Sequence, residues 1–154
     1  TLEIPVEGKM KKIHLVIALM LLSSPVLGAE VDVYMLNKQE KVRNVYSDQI
    51  VYVNSGDTVN WIAKSKGHNV EFIKKYGIPD GVEKFKSRLS KDAKYTFKIP
   101  GIYAYWCTPH KAMGMIGFVV VGNDKSNLES IKKIKFRGKS KKRAKLLISK
   151  IENN

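Results

Sequence analysis

The chain has 154 residues and is 44% hydrophobic, enough for one domain with a real core. It carries 28 Lys and Arg against 14 Asp and Glu, a formal charge of +14, so its partners should be acidic: a protein, a membrane surface or a nucleic acid. One cysteine, Cys107, excludes an intrachain disulfide.

Residues 1–9 are mixed and read as an upstream extension that is not native. Met10, Lys11 and Lys12 then open a different pattern. Ile13–Leu22 is apolar except for His14, and Ser23, Ser24, Pro25 and the small pair Gly28–Ala29 follow. A basic start, a short apolar run and a small-residue end are the anatomy of a signal peptide, here 10–29. The apolar run is too short to span a bilayer comfortably. Cleavage is placed after Ala29, although Leu27 is larger than ideal three residues before that bond. The mature chain then starts at Glu30, with 25 Lys and Arg against 12 Asp and Glu. Export would then put it in an oxidising compartment outside the cytoplasm. There a lone thiol needs a reason to exist.

Val31–Asn37 and Gln49–Asn54 alternate polar and apolar residues and read as strands. Ser55-Gly56-Asp57 is a turn, followed by a strand at Thr58–Ala63. His68–Ile73 reads as a short strand, Tyr76–Gly81 as a loop and Gly81–Leu89 as a segment holding a helical turn. Ala93–Ile99 alternates, with Tyr95, Phe97 and Ile99 on one face. Ile102–Cys107 and Ile116–Val121 are strands either side of the loop Thr108–Met115. Short strands punctuated by turns predict an all-β sandwich over 30–122.

The composition changes over 123–154. Ser126-Asn127-Leu128-Glu129 reads as a capping box, with Leu128, Ile131 and Ile134 at helical spacing and Gly138 as the stop. Ser140 is placed as the cap of a second helix whose apolar stripe is Ala144, Leu147, Ile148 and Ile151. The tail is strongly basic, which suits nucleic acid. The stripes and the export signal argue instead for two helices docked on the sandwich.

Cys107-Thr108-Pro109-His110-Lys111-Ala112-Met113-Gly114-Met115 is the informative segment. A thiol, an imidazole and a thioether fall within nine residues. Singly, each has an ordinary explanation: a lone Cys is usually a small buried hydrophobe, and a Met fills gaps. Together they are a donor set. The mature chain has only one further histidine, His68, and antiparallel strand ends can meet at one pole. Two imidazoles, a thiolate and a weak axial thioether make a blue-copper site. Zinc prefers four closed ligands without methionine.

Several segments resemble the pseudoazurins, periplasmic blue copper proteins of the cupredoxin family. They are Val33–Lys38, Gly56–Val59, Gly67–Val70, Glu83–Lys86 and Cys107–Gly117. Two residues separate Cys107 from His110, and four separate His110 from Met115. The resemblance implies a Greek-key β-sandwich with two C-terminal α-helices and one type 1 copper. It implies His68, Cys107, His110 and Met115 as metal ligands, with Met113 a bystander. It implies that Asn69 braces the Cys107 sulfur and that the edge of His110 is the electron exit. Lys111 stands where that family often has an aromatic residue. Gln39–Asp48 matches weakly, and nothing is carried over to it.

The expected function is a diffusible, monomeric carrier of single electrons. It would serve a redox partner with an acidic surface patch, such as a copper nitrite reductase of denitrification, with no nucleic acid and no lasting membrane insertion. Copper storage or delivery is the alternative. An enzyme would need histidines for a further metal centre, and none remain. Lys38, Lys66, Lys74, Lys75, Lys84 and Lys111 are candidates for the docking ring. Pro109, Ala112, Met113 and Gly114 are candidates for an apolar patch around His110.

Overall fold

β1 (Glu30–Gln39) buries Val33 and Met35 and exposes Tyr34 between them, as its alternation predicts. The same logic places Val51 and Val53 of β3 (Ile50–Val53) and Val59 and Trp61 of β4 (Thr58–Ile62) inward. These residues belong to a computed structural model that describes residues 27–154. The expectations for the upstream extension and for the signal segment up to residue 26 lie outside the described residues. No helix among the described residues is long and apolar enough to cross a membrane.

With β2 (Val42–Tyr46), β5 (Glu71–Phe72), β6 (Ala93–Thr96), β7 (Gly101–Trp106) and β8 (Ile116–Val121), the strands form two sheets. Their orders are β2-β1-β4-β6 and β3-β8-β7-β5. β1 runs parallel to β4 and β3 parallel to β8, while the other pairs are antiparallel. The all-β Greek-key expectation holds.

β8 is buried at every position and β7 at all but Trp106, because both strands are covered on two sides. Tyr103, Tyr105, Val119 and Val121 face the sandwich core beside Trp61 and Phe97. Ile102, Ala104, Ile116, Phe118 and Val120 face outward beneath Ile131, Ala144, Leu147 and Ile151 of the C-terminal helices. Each such aliphatic side chain contributes about 1.5–3 kcal/mol on burial, so the tail is part of the fold. Gly117 stands opposite Tyr105 in the β7–β8 pair, and a Cβ there would lie 2.4 Å from the tyrosine hydroxyl.

Three local expectations need correction, and one strand is unpredicted. Gly81–Leu89 contains no helical turn. It runs alongside β5, where the Phe72 N–H donates to Phe85 O (2.9 Å) and the Ser87 N–H to Val70 O (2.8 Å). β2 is the unpredicted strand, because its Val42, Val45 and Tyr46 do not keep a period of two. The first tail helix, α1 (Leu128–Ile131), is a single turn without a side-chain cap. Asn127 at its start instead accepts from the Ile102 N–H and donates to Ile102 O, both at 2.9 Å, stitching the tail to β7. The second, α2 (Lys139–Asn153), starts from Gly138, so Ser140 lies inside its first turn and caps nothing.

Candidate metal centre

β7 and β8 end side by side, and the loop between them folds tightly. The Cys107 N–H donates to Met115 O (3.0 Å), closing the loop's two ends. Pro109 sits in a 3-10 turn at Thr108–His110, where its fixed φ suits a helical start and its missing N–H leaves nothing unpaired. The His110 N–H donates to Cys107 O (3.0 Å) and the Met113 N–H to His110 O (2.9 Å), completing two successive turns.

His68 reaches the same point from the segment before β5. It is not in a strand, as the sequence suggested; β5 begins only at Glu71. The Ser90 N–H donates to His68 O (2.8 Å), which fixes its backbone. His68 Nδ1 lies 3.7 Å from Cys107 Sγ and 3.1 Å from His110 Nδ1, and His110 Nδ1 lies 3.4 Å from Cys107 Sγ. Among the described residues, these three form the one group of histidine, cysteine or acidic side chains placed to hold a metal ion. Met115 is fully buried in the same core cluster as Cys107, whereas Met113 is 49% exposed.

Neighbouring side chains orient these donors. His68 Nε2 lies 2.8 Å from Asn37 Oδ1. A carboxamide oxygen accepts there, so Nε2 carries the proton and Nδ1 keeps its lone pair for the site. Asn69 uses its side chain on Thr108: the Thr108 N–H donates to Asn69 Oδ1 (2.7 Å), and Asn69 Nδ2 donates to Thr108 Oγ1 (2.9 Å). Thr108 Oγ1 in turn donates to Glu71 Oε2 (2.7 Å), which also accepts from Trp106 Nε1 (3.1 Å). Burial opposes the Glu71 charge, but Thr108, Trp106 and Lys86 together hold its carboxyl below the ordinary value.

Burial pushes the Cys107 thiol up, and backbone N–H groups of Asn69 and His110 pull it down. Asn69 therefore serves the sulfur through its main chain and braces the loop with its side chain. Burial lowers both histidines, with a further lowering of His68 by His110. Neutral imidazoles beside a thiol that ionises on metal binding are a ready donor set. Its softness, with Met115 buried in the same core cluster as Cys107, fits copper.

His68 and Cys107 are fully buried, while His110 is only half-buried. Pro109, Ala112 and Met113 are exposed around it, but Gly114 is buried and drops out of the expected apolar patch. Lys111 stands beside them with its ammonium 5.7 Å from the Trp106 ring centroid. The sequence assigns no role at the site to Asn37, Glu71 or Thr108, and it marks Ser140 only as a helix cap. Asn37 and Ser140 lie far from the loop in the chain, and no local pattern ties them to it.

Residues 33–122 match the family described as copper binding proteins, plastocyanin/azurin family. A pseudoazurin of Paracoccus pantotrophus is 40% identical over 126 residues, covering 82% of this chain and 86% of that protein. The solved pseudoazurin of Sinorhizobium meliloti superposes with a TM-score of 0.76 at 41% identity, over 80% of this chain and 97% of that one. The pseudoazurin structure from Methylobacterium extorquens AM1 gives 0.76 at 36% identity, over 79% and 98%. The chain belongs to the copper-binding plastocyanin/azurin family, as a pseudoazurin-type cupredoxin that carries electrons and is not an enzyme.

Proposed function

We propose that His68, Cys107, His110 and Met115 ligate one type 1 copper, and that the protein shuttles single electrons in the periplasm to a reductase with an acidic docking patch, such as a copper nitrite reductase. The observation that carries this reading is the convergence of His68 Nδ1, Cys107 Sγ and His110 Nδ1 beside a buried methionine. Copper held by these residues would supply one-electron redox chemistry.

The chain's own residues do the rest. Asn37 holds the His68 ring, and Asn69 holds the loop against the His68 segment. Such bracing limits rearrangement between oxidation states. Full burial of His68 and Cys107 excludes water and leaves the half-buried His110 edge as the route to a partner. Exposed Pro109, Ala112 and Met113 give a small apolar contact around that edge, of the kind short-lived encounters use. The lysines near it steer an acidic surface. Storage or delivery would favour an open, exchangeable site, which two fully buried donors oppose.

The test mixes reduced, copper-loaded protein with purified periplasmic reductases under anaerobic conditions. Fast re-oxidation by one of them, and loss of the blue colour in Cys107→Ser, support the reading. An intensely blue serine variant, or copper passing to the partner without oxidation, overturns it.

A further inference from the structure

The basic tail covers the outer face of β7 and β8, and its contact with the ligand loop goes beyond that cover. α2 meets the loop at two backbone points. The Lys139 N–H donates to Ala112 O (2.9 Å), and the Gly114 N–H donates to Ser140 Oγ (2.9 Å). Ser140 is fully buried and is the only buried polar residue of the helix, whose other buried positions are the apolar Ala144, Leu147 and Ile151. Its serine is therefore unnecessary for the stripe and specific to the loop. Gly138, just before the helix, has φ +53°, and a Cβ there would lie 2.4 Å from Ala112 O. The approach of the helix to the loop thus requires glycine.

Ala112 and Gly114 lie between His110 and Met115. The other side of the site is held from within the sandwich, by Asn37, Asn69 and Glu71. Those contacts reach His68 and Thr108 but none of residues 111–115. The tail holds Ala112 and Gly114, in the half of the loop that leads into Met115; from the sandwich side that half has the Cys107 N–H to Met115 O bond and a 3.9 Å contact of Asn44 Nδ2 with Met113 Sδ.

We propose that the start of α2 is a clamp on the ligand loop, with Ser140 as a positioning residue that sets where Met115 stands relative to His68, Cys107 and His110. The inference rests on the ligand assignment above. It goes further in giving the C-terminal extension a part in tuning the metal, through the weak axial ligand.

Three variants test it: Ser140→Ala, which removes the acceptor; Gly138→Ala, which forces the helix start away from Ala112; and Leu147→Ala, which weakens the apolar stripe without touching the loop. Two readouts are taken. Hydrogen exchange of the Gly114 amide in the copper-free protein reports the clamp without any metal, and the visible and EPR spectra of the Cu(II) protein report the axial geometry. Ser140→Ala and Gly138→Ala should speed Gly114 exchange by up to about tenfold, the effect of one lost hydrogen bond. They should also change the relative intensity of the visible bands. Leu147→Ala should lower global stability more, yet leave the spectrum as in wild type. Unchanged Gly114 exchange in Ser140→Ala overturns the clamp. Faster exchange with unchanged spectra in both clamp variants overturns its part in tuning, as does a Leu147→Ala spectrum altered as much as theirs. If Ser140→Ala does not fold, Gly138→Ala decides by the same criteria. Failure of the ligand assignment would show separately, as a blue Cys107→Ser protein.

Discussion

Thr108 and Asn69 hold each other by two hydrogen bonds, Thr108 N–H to Asn69 Oδ1 at 2.7 Å and Asn69 Nδ2 to Thr108 Oγ1 at 2.9 Å. Each residue is the immediate neighbour of a proposed ligand, Cys107 and His68, so this pair locks together two segments 39 residues apart. Asn69→Ala removes both bonds and leaves the Thr108 N–H without its partner. The expected cost is about 1–3 kcal/mol, several degrees in thermal midpoint. The charge-transfer band should shift as well, since the His68 segment is freed from the loop. A variant as stable as wild type, with an identical spectrum, would remove Asn69 from the account.

Burial separates the two methionines. Met115 is fully buried and Met113 is 49% exposed. Met115→Leu should retain copper and shift the reduction potential, because it replaces the proposed thioether ligand with a side chain of similar volume. Met113→Leu should leave the potential within experimental error. Voltammetry of both variants checks the ranking, and the opposite order would transfer the axial role to Met113.

The copper-free protein should lose stability on mild acidification. Burial, with His110 acting on His68, holds the folded-state pKa of His68 below its ordinary value, and burial alone does so for His110. Protons therefore bind the unfolded chain more readily. The stability is fully present above the unfolded value of about 6.5 and is lost as pH falls through it toward the folded values. Glu71 acts in the same direction, but from its own, lower carboxylate range. Urea midpoints of the copper-free protein should fall between about pH 7.5 and pH 5.5, and less steeply in His110→Gln. A midpoint that stays flat over this window, or rises, contradicts the prediction.

The ligand loop was legible in the sequence because its chemistry is local. Cys107, His110, Met113 and Met115 are written within nine residues, His68 followed by elimination, and only the family resemblance chose Met115 over Met113. β7 and β8 were legible because they are apolar on both faces. The bracing residues were not. Asn37 and Ser140 act through register and helix docking, 31 and 26 residues from the groups they hold. Ser126 and Glu129 spelled a capping box, but Asn127 took the decisive role by pairing with the Ile102 backbone. Ser140 looked like a cap for the same reason: Ser suits a helix start, and only the fold shows that its hydroxyl serves Gly114.

Processing should leave Ala29 as the first residue of the mature chain. The Ala29 N–H donates to Asp57 Oδ1 (2.8 Å), and its carbonyl accepts from the Thr58 N–H (2.8 Å), so Ala29 already belongs to the sandwich. Cleavage after Ala29 would strip both partners, including one from the buried Asp57 carboxylate. Cleavage after Gly28 keeps them, and puts Val26 rather than the larger Leu27 three residues before the cut. Intact mass of the exported protein distinguishes the two. A chain beginning at Glu30 would show that these bonds do not govern the site of processing.

Steering by charge should be local to the copper pole. Lys111 lies next to His110, and its ammonium rests near the Trp106 ring. A control must sit far from that pole. Lys142 is unsuitable, because α2 begins at the ligand loop and Lys142 is in its first turns. Lys150, in the last turn, lies eleven residues beyond Lys139, about 16 Å along the helix. That is roughly two screening lengths at physiological ionic strength, where the length is about 8 Å. Lys111→Glu should therefore slow electron transfer to an acidic reductase at low salt, and the difference from wild type should shrink as salt rises. Lys150→Glu should slow it little. The visible spectrum should be unchanged in both variants, since neither replaces a proposed ligand. Stopped-flow rates for the three proteins across a salt series decide the matter. A salt-independent wild-type rate, or equal losses from Lys111→Glu and Lys150→Glu, would mean that the basic surface attracts without directing, and that the apolar rim of His110 alone selects the docking geometry.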